Sequence, residues 1–401
     1  MTIKKSFLIN ITAFFSTIPF AAPIPISSDV QYPVFLLAGL IFIWDAVTKK
    51  INLNLFEIFF IFFAFLSFFY ISPFAEFEYS LFKRVGILFG FFIFYFFSRY
   101  WKDINPNYIL FGIFLNLTAA LIHFMLPEFW ISYGQSFVRS IVLSEIMGSR
   151  GISGLSAEPS FLGGICIYLI IITYVLLQEK RISLNVFYLS SISNLVMLYL
   201  SKSGLSVFMF LFMITVLFFL SNISLLRKVI VVSSGFSLLY LFTFVIELNS
   251  RGFTLLRILF QNPEYFFFVD ESVGMRIISL LVGFQSIAQG EIFGHGAGSL
   301  PFVAPDIIEK AGLGDTFGEF VISVSGGIWS SLGQYTTEFG LIFLFFILYA
   351  FLHTNGSKLN YFVRSNIFLF MLGTFSILFP PLWACLGITD KRNRIIDQNN
   401  Y

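Results

Sequence analysis

The stretch RGISGLSAEPSFLGG, residues 150–164, joins a polar segment to an unbroken apolar run over residues 161–177. Pro159 suits the first turn of a helix, and either Ser156 or Glu158 is a suitable cap for that turn. A long apolar run of this kind is typical of a helix that crosses a bilayer. The stretch therefore predicts a point at which the chain passes from water into lipid.

The same pattern of long apolar runs recurs along the whole chain. Its 401 residues are 57% hydrophobic and only 11% charged, and the mean hydropathy is +0.87. In a soluble domain about a quarter of the residues are charged, so a soluble globular protein is excluded. A membrane β-barrel would show alternation over roughly ten residues, and segments such as FEIFFIFFAFLSFFYI, residues 56–71, do not alternate. The sequence predicts an all-α polytopic membrane protein with eleven or twelve transmembrane helices.

The runs are arranged as one integral membrane domain over residues 1–401, with two long loops at 126–158 and 248–331. Pro380 and Pro381 leave open whether the last run is one span or two half-helices, and only the second arrangement returns the C-terminal tail to the side of the N-terminus. The predicted spans are 6–20, 35–47, 55–72, 81–98, 107–125, 159–177, 184–200, 204–220, 228–247, 332–352 and 365–388.

The basic residues predict the orientation. Cytoplasmic loops of membrane proteins carry an excess of lysine and arginine, and with the N-terminus in the cytoplasm every short inner loop carries a basic pair. Both long loops then lie outside. The pairs are Lys4/Lys5, Lys49/Lys50, Arg99/Lys102, Lys180/Arg181, Arg227/Lys228 and Lys358/Arg364.

The second long loop contains its own helical pattern. Residues 272–290 have apolar positions at helical spacing, with Arg276 near the start, and we expect an interfacial helix against the outer leaflet. A G-x-G-x-G pattern follows at 294–298 and surrounds His295. Alternating glycines allow a backbone to approach a ligand or another helix closely, but without a preceding strand they do not indicate a dinucleotide site.

Several cations lie near the outer ends of the predicted spans. An arginine fork pairs well with phosphate oxygens, so these side chains are candidates for binding a lipid diphosphate. Lys83 and Arg84 have an alternative, because Glu76 and Glu78 lie close enough in sequence to pair with them. The candidates are Arg139, Arg150, Arg276, Lys83 and Arg84.

The remaining composition points away from cofactors. Cys166 and Cys385 lie inside apolar runs, so neither a disulfide framework nor a metal site is predicted, and no cofactor is expected. A net charge of +2 gives no support to a nucleic-acid partner. Glu338 lies near the start of a predicted span, where a carboxylate is costly unless it is paired or hydrated.

Three features, in this order, resemble the polysaccharide polymerase (Wzy) and O-antigen ligase family of bacterial inner membranes. They are the R-x-x-x-G-L-x-x-E-P-S segment at 150–160, the arginine-led helix that runs into G-x-G-x-G-S at 276–299, and E-x-G-L at 338–341. The resemblance covers about residues 30 to 385. It implies a GT-C-type glycosyltransferase of the inner membrane, with its active site facing the periplasm.

The resemblance also implies a reaction and a set of partners. A polymerase of this family moves a growing glycan from undecaprenyl diphosphate onto the terminal sugar of another lipid-linked repeat unit, without a nucleotide sugar or a metal. Arg150 and Arg276 match the loop arginines that hold the diphosphate. The partners implied are the undecaprenyl-diphosphate-linked oligosaccharide and membrane lipid, and whether a chain-length regulator protein binds alongside is left open.

The resemblance does not assign the general base. The ligase branch has a histidine about nine positions before E-x-G, and Trp329 occupies that place here, which favours the polymerase branch. Glu158, Glu338 and His295 are the candidate catalytic residues. An O-antigen ligase that transfers glycan to lipid A core, and a transporter of the lipid-linked unit, are the alternatives to a polymerase.

Overall fold

The computed structural model of the chain is all-α over the part that it describes, which contains no β-strand beyond an isolated bridge between Ala21 and Val138. This confirms the predicted fold class at that level. The described residues are 4–24, 30–48, 51–70, 72–73, 77–138, 151–222, 224–245, 254, 257–258, 260–262, 271–314, 330–353, 356–373 and 378–390.

Fifteen α-helices are bounded within these ranges, and a π-helical turn at Leu241–Val245 follows the tenth. The helices are α1 Lys5–Thr17, α2 Pro33–Thr48, α3 Leu55–Phe69, α4 Phe77–Tyr100, α5 Pro106–Met125, α6 Pro127–Tyr133, α7 Pro159–Gln178, α8 Leu184–Ser201, α9 Gly204–Leu220, α10 Leu225–Tyr240, α11 Glu271–Ala288, α12 Leu300–Lys310, α13 Ser331–Leu352, α14 Lys358–Leu372 and α15 Pro380–Ile388.

Four of these helices, α5, α7, α8 and α13, are long and apolar enough to cross a membrane. A hydrocarbon core of about 30 Å requires about twenty residues of helix, and these four have 18 to 22. The apolar helices α2, α3 and α9 are shorter, with 16, 15 and 17 residues. The helices support a membrane protein, while the GT-C arrangement and the side that each loop faces stay predictions.

Helix α7, which begins inside the E-P-S motif, lies at the centre of the bundle. It is the most deeply buried of the four long helices and packs against α8, α9, α14 and α15. Glu158 is its N-cap residue, but its side chain accepts from the Ser160 hydroxyl at 3.2 Å and makes no capping bond. The hydroxyl of Ser156 is buried and has no hydrogen-bond partner among the described residues. The predicted cap at Ser156 or Glu158 was therefore wrong.

Several ion pairs gather at one end of the bundle, which we call the charged end. Lys5 of α1 forms an ion pair with Asp45 of α2, and its Nζ lies 2.6 Å from the hydroxyl of Tyr100 at the end of α4. The Tyr95 hydroxyl donates to the same carboxylate at 3.1 Å, and the Tyr100 hydroxyl also donates to it. One buried carboxylate therefore joins the ends of three helices.

Two arginines make further contacts at the charged end. Arg99 donates to the carbonyl of Asn52 at 2.8 Å and lies 3.5 Å from the Glu57 carboxylate. Arg181 donates to the Trp101 carbonyl at 2.9 Å. The predicted grouping of basic residues at one end holds for these side chains. The side of the membrane that this end faces stays a prediction.

The last predicted span, 365–388, is two helices. Helix α14 starts at Lys358, and Pro380 opens the separate helix α15. Arg364 of α14 donates to the carbonyl of His353 at 2.7 Å and to that of Thr389 at 3.1 Å. The His353 ring stacks on Phe56 at 5.3 Å, and Phe56 is next to Glu57 of the charged end. Because Arg364 contacts both His353 and Thr389, Thr389 also lies at the charged end. Of the two alternatives left open, the structure has the one that returns the chain.

Candidate functional site

Helix α13 is interrupted at Gly340, which has a φ of 56° and a ψ of −137°. The backbone N–H of Leu341 leaves the helical pattern and donates to the carbonyl of Ile292 at 2.8 Å. A Cβ atom at position 340 would lie 2.0 Å from that same carbonyl oxygen. Only glycine fits this position, because the loop over residues 292–297 passes directly against the backbone.

The loop over residues 292–297 binds the backbone groups that the interruption leaves without helical partners. The N–H groups of His295 and Gly296 donate to the carbonyls of Thr337 and Glu338 at 3.0 and 2.8 Å. Gly294 and Gly296 have φ values of 75° and 86°, which the turn requires. The G-x-G-x-G pattern therefore serves close approach to another helix, one of the two uses that it predicts.

The same loop contacts the end of α3 that is remote from the charged end. The Tyr70 hydroxyl donates to the Gly294 carbonyl at 2.7 Å, and the N–H of Ala297 donates to the Tyr70 carbonyl at 3.1 Å. Further along, Phe346 of α13 stacks on Phe63 at 4.6 Å as α13 descends along α3. The interruption therefore lies at the opposite end of the bundle from the ion pairs.

Helix α11 packs along the first half of α13 through small residues. A Cβ at Gly333 would lie 2.1 Å from the carbonyl oxygen of Ser279, and one at Gly283 would lie 2.7 Å from that of Gly333. Arg276 lies on α11 one turn before Ser279 and is partly exposed. The helix predicted over 272–290 is present as Glu271–Ala288, and its interfacial position stays a prediction.

Glu338 and Gln334 form a hydrogen-bonded pair on the first half of α13. The Nε2 of Gln334 donates to Oε1 of Glu338 at 2.7 Å, and both side chains are fully buried. One oxygen of the Glu338 carboxylate is therefore hydrogen-bonded to a neutral amide. Other buried polar residues lie on this half of α13, on α11 and just before α12, namely Ser279, Ser286, Ser299, Ser330, Ser331, Thr336 and Thr337.

His295 is more accessible than Glu338. Its Nε2 lies 3.1 Å from the hydroxyl of Ser286 on α11, and the ring is partly exposed. Burial lowers the pKa of His295 below its ordinary value, Glu291 raises that pKa, and Lys310 lowers it. The net direction is downward, so the imidazole is neutral at neutral pH.

Glu158 lies at the same end of the bundle but on a different helix. Phe161, one turn into α7, stacks on Phe20 at 5.0 Å, and Phe20 stacks on Phe379 at 5.9 Å. The segment before Glu158 is held by His123, whose Nδ1 accepts from the N–H of Gly154 at 3.3 Å. The candidate bases therefore lie in two places. Glu158 is at the start of α7, whereas Glu338 is on α13 and His295 is on the loop over residues 292–297 that contacts α13.

Three of the eight candidate residues lie on elements that contact one another: Arg276 on α11, His295 on the loop over residues 292–297, and Glu338 on α13. Arg139 and Arg150 lie outside the described residues. Lys83 and Arg84 lie in the first turns of α4, at positions whose side chains are not described. The expected convergence of Arg150 and Arg276 on one diphosphate therefore stays a prediction.

Sequence reasoning missed two polar neighbours of the candidate bases. Gln334 is four residues before Glu338, and that spacing on a helix is a signal that could have identified it. Ser286 and His295 are separated by a turn rather than a helical repeat, so their contact has no comparable signal. Among the described residues no group of three or more histidine, cysteine or acidic side chains could hold a metal ion.

No protein-family model, curated protein or solved structure matches this chain.

Proposed function

We propose that this protein is a membrane glycosyltransferase, a polysaccharide polymerase of the bacterial inner membrane. It transfers a growing glycan from undecaprenyl diphosphate onto the terminal sugar of another lipid-linked repeat unit at the periplasmic face. The order of the three motifs supports the family. The absence of a histidine at position 329 supports the polymerase over the ligase.

One observation carries the proposal. Arg276, His295 and Glu338 belong to a single substructure, built from α11, the loop over 292–297 and α13, at the end of the bundle remote from the ion pairs. The positive-inside rule assigns the charged end to the cytoplasm. The three side chains then lie on the outer side, where lipid-linked repeat units would be joined.

These side chain types suit transfer from a diphosphate. A guanidinium binds phosphate oxygens through paired N–H donors and stabilises the diphosphate as it leaves. The acceptor hydroxyl needs a base within hydrogen-bond reach. Arg276 provides the cation, and either His295 or Glu338 provides the base within the same substructure.

The experiment is a glycan ladder from a strain that lacks this gene. Loss of a polymerase leaves single repeat units on the surface, and the intact gene restores the long ladder. Arg276→Ala should fail to restore it at equal protein level. Arg227→Ala is the matched control, because Arg227 is an exposed arginine at the start of α10, and we expect it to restore the ladder fully.

Two results would contradict the proposal. A normal ladder in the deletion strain would remove the polymerase assignment. Long glycan that remains on its lipid carrier would instead identify the ligase alternative.

The interrupted helix favours a second candidate function, a transporter of the lipid-linked unit. Transporters often place broken helices with buried polar groups at their substrate sites, and α13 has its break at Gly340 beside the buried Gln334 and Glu338. A transporter predicts that repeat units accumulate on the cytoplasmic leaflet of the deletion strain. A polymerase predicts that single units still reach the surface.

A further inference from the structure

Lys202 is the only charged residue between positions 184 and 220, and it lies in the short turn between α8 and α9. The turn contacts the segment before α7. Ile152 donates its N–H to the carbonyl of Leu200 at 3.1 Å, and a Cβ atom at Gly151 would lie 2.1 Å from the carbonyl oxygen of Ser201. Because α7 runs from the remote end of the bundle towards the charged end, the turn that carries Lys202 lies at the remote end.

The position of this lysine opposes two general preferences. The positive-inside rule assigns the charged end to the cytoplasm, which puts the turn on the outer side, where short loops carry few lysines. Lys202 also ends α8 with a φ of 48°, in the left-handed region that helix ends usually give to glycine or asparagine. A residue that is unfavourable for both orientation and backbone is a candidate for a function of its side chain.

The ammonium group of Lys202 has no protein partner. Its side chain is exposed and forms no hydrogen bond or ion pair with any residue that the structure describes. Two lysines near the opposite end of α9 differ. Lys228 donates to the Phe219 carbonyl at 2.7 Å, and Lys358 donates to the Asn222 side chain. The charge of Lys202 is therefore available to a ligand.

The surroundings of the turn suit an anion. A Cβ atom at Gly204 would meet no atom within 4 Å, which leaves open space two residues after Lys202. Neither α8 nor α9 contains an acidic residue, and Glu158 is the only one between positions 151 and 178. Lys310, another exposed lysine, instead directly follows Glu309. A lysine at the boundary of a bilayer binds phosphate as a point charge.

We propose that Lys202 binds the diphosphate of the lipid-linked substrate. It adds a cationic contact on the α8–α9 turn to the one proposed for Arg276 on α11. The segment that contacts the turn belongs to the first of the three motifs, which the substructure of α11 and α13 does not include. This inference rests on the proposed polymerase function, because that function supplies the diphosphate.

The contact is one of binding and not of chemistry. One lysine near a membrane surface strengthens the binding of an anionic lipid about fivefold. The attraction depends on charge and is screened by salt. Loss of the charge should therefore raise the KM for the lipid-linked unit about fivefold and leave kcat unchanged.

The test measures the binding of radiolabelled undecaprenyl diphosphate to the purified full-length protein in phosphatidylcholine nanodiscs, which requires no turnover. Lys202→Asn removes the charge and keeps a residue that tolerates the left-handed conformation. It should weaken binding about fivefold at low salt, and the difference from wild type should shrink at about 1 M salt. Lys202→Arg, which keeps the charge, should bind as wild type does.

Lys180→Asn is the matched control. Lys180 is also exposed and has a φ of 56°, but it lies at the charged end beside Arg181. This variant should bind undecaprenyl diphosphate as wild type does. Undecaprenol, which lacks the diphosphate, should bind equally to all variants, and so should phosphatidylglycerol offered as the competing phosphate-bearing lipid.

Each outcome decides between the two claims. Equal affinity of wild type and Lys202→Asn for undecaprenyl diphosphate would overturn the inference and leave the polymerase assignment to the glycan ladder. An equal loss of phosphatidylglycerol and undecaprenyl diphosphate from Lys202→Asn would show a general headgroup contact and would also overturn it. Selective loss of undecaprenyl diphosphate together with a normal ladder in the deletion strain would keep the diphosphate contact and remove only the polymerase reaction.

Discussion

Gly340 lies against the carbonyl oxygen of Ile292 so closely that a Cβ atom at position 340 would stand 2.0 Å from it. The neighbouring N–H of Leu341 donates to the same oxygen at 2.8 Å. This contact joins the interrupted helix α13 to the loop that carries His295. The geometry of the candidate site therefore depends on the absence of a side chain at one residue.

Replacement of Gly340 tests this dependence directly. Gly340→Ala should lower the free energy of unfolding by about 3 kcal/mol or more, because a positive φ strains a non-glycine residue and the methyl group overlaps a fixed carbonyl. The measurement is the denaturation midpoint of the purified protein. Gly204→Ala is the control, since a Cβ there meets no atom within 4 Å, and its midpoint should not fall. Equal midpoints for the two variants would contradict the close contact.

Arg364 joins the ends of two helices. Its guanidinium donates to the carbonyls of Phe351 and His353 at the end of α13, at 3.1 and 2.7 Å, and to the Thr389 carbonyl at 3.1 Å. Arg364→Lys keeps the charge but not the planar fork, so several buried carbonyls lose their donors. Each unsatisfied group costs about 1–3 kcal/mol, and we expect a loss of about 3 kcal/mol in unfolding free energy. Arg227→Lys at an exposed arginine should be neutral.

The ion pair between Lys5 and Asp45 should couple α1 to α2. A double-mutant cycle with Lys5→Ala and Asp45→Ala should give a coupling energy of about 1–2 kcal/mol, because Asp45 is buried and the pair is only partly screened. The same cycle at Lys102 and Asp103, which are both exposed, should give about zero. Coupling of equal size in both cycles would show that α1 is not anchored through Asp45.

His295 should make stability depend on pH in a defined direction. Burial lowers its pKa in the folded state, so below about pH 6.5 the unfolded chain binds the proton first. The contribution of a neutral His295 is fully present above that pH and is lost as pH falls toward the folded-state pKa. The difference in denaturation midpoint between wild type and His295→Asn should therefore change between pH 8 and pH 5 to the disadvantage of wild type. A difference that is constant with pH would contradict the burial of the ring.

The sequence predicted the all-α class and the positions of many helices, because a long apolar run can be recognised without knowing what it packs against. The run after Pro159 became the buried helix α7, and the run over 184–200 became α8, since composition alone decides that such segments are helical in lipid. Pro380 and Pro381 raised the alternative of a break, because proline opens a helix readily and interrupts one that is under way, but they left the choice open. The return of the chain at Thr389 could not be predicted in this way, because it is seen in the contact with Arg364, which lies 25 residues earlier.

The site was harder to predict because it depends on contacts between distant residues. Gly340 looks like an ordinary member of the E-x-G-L motif, and its positive φ arises only because residues 292–297 pass against it. The predicted cap at Glu158 failed for a local reason, because its carboxylate accepts from the Ser160 hydroxyl two residues later and makes no capping bond. Local pattern shows which residue types are present, whereas the partner of each polar group is set by packing.

The double contact of Arg364 bears on how the orientation of this protein should be measured. Reporter enzymes are often fused to progressively shortened membrane proteins, and the compartment of the reporter is taken as the compartment of the cut site. A fusion that ends between Arg364 and Thr389 keeps the buried guanidinium and removes one of its acceptors, so we expect the hybrid to pack differently from the intact chain. Cysteine accessibility in the intact chain is the appropriate approach for the C-terminal third.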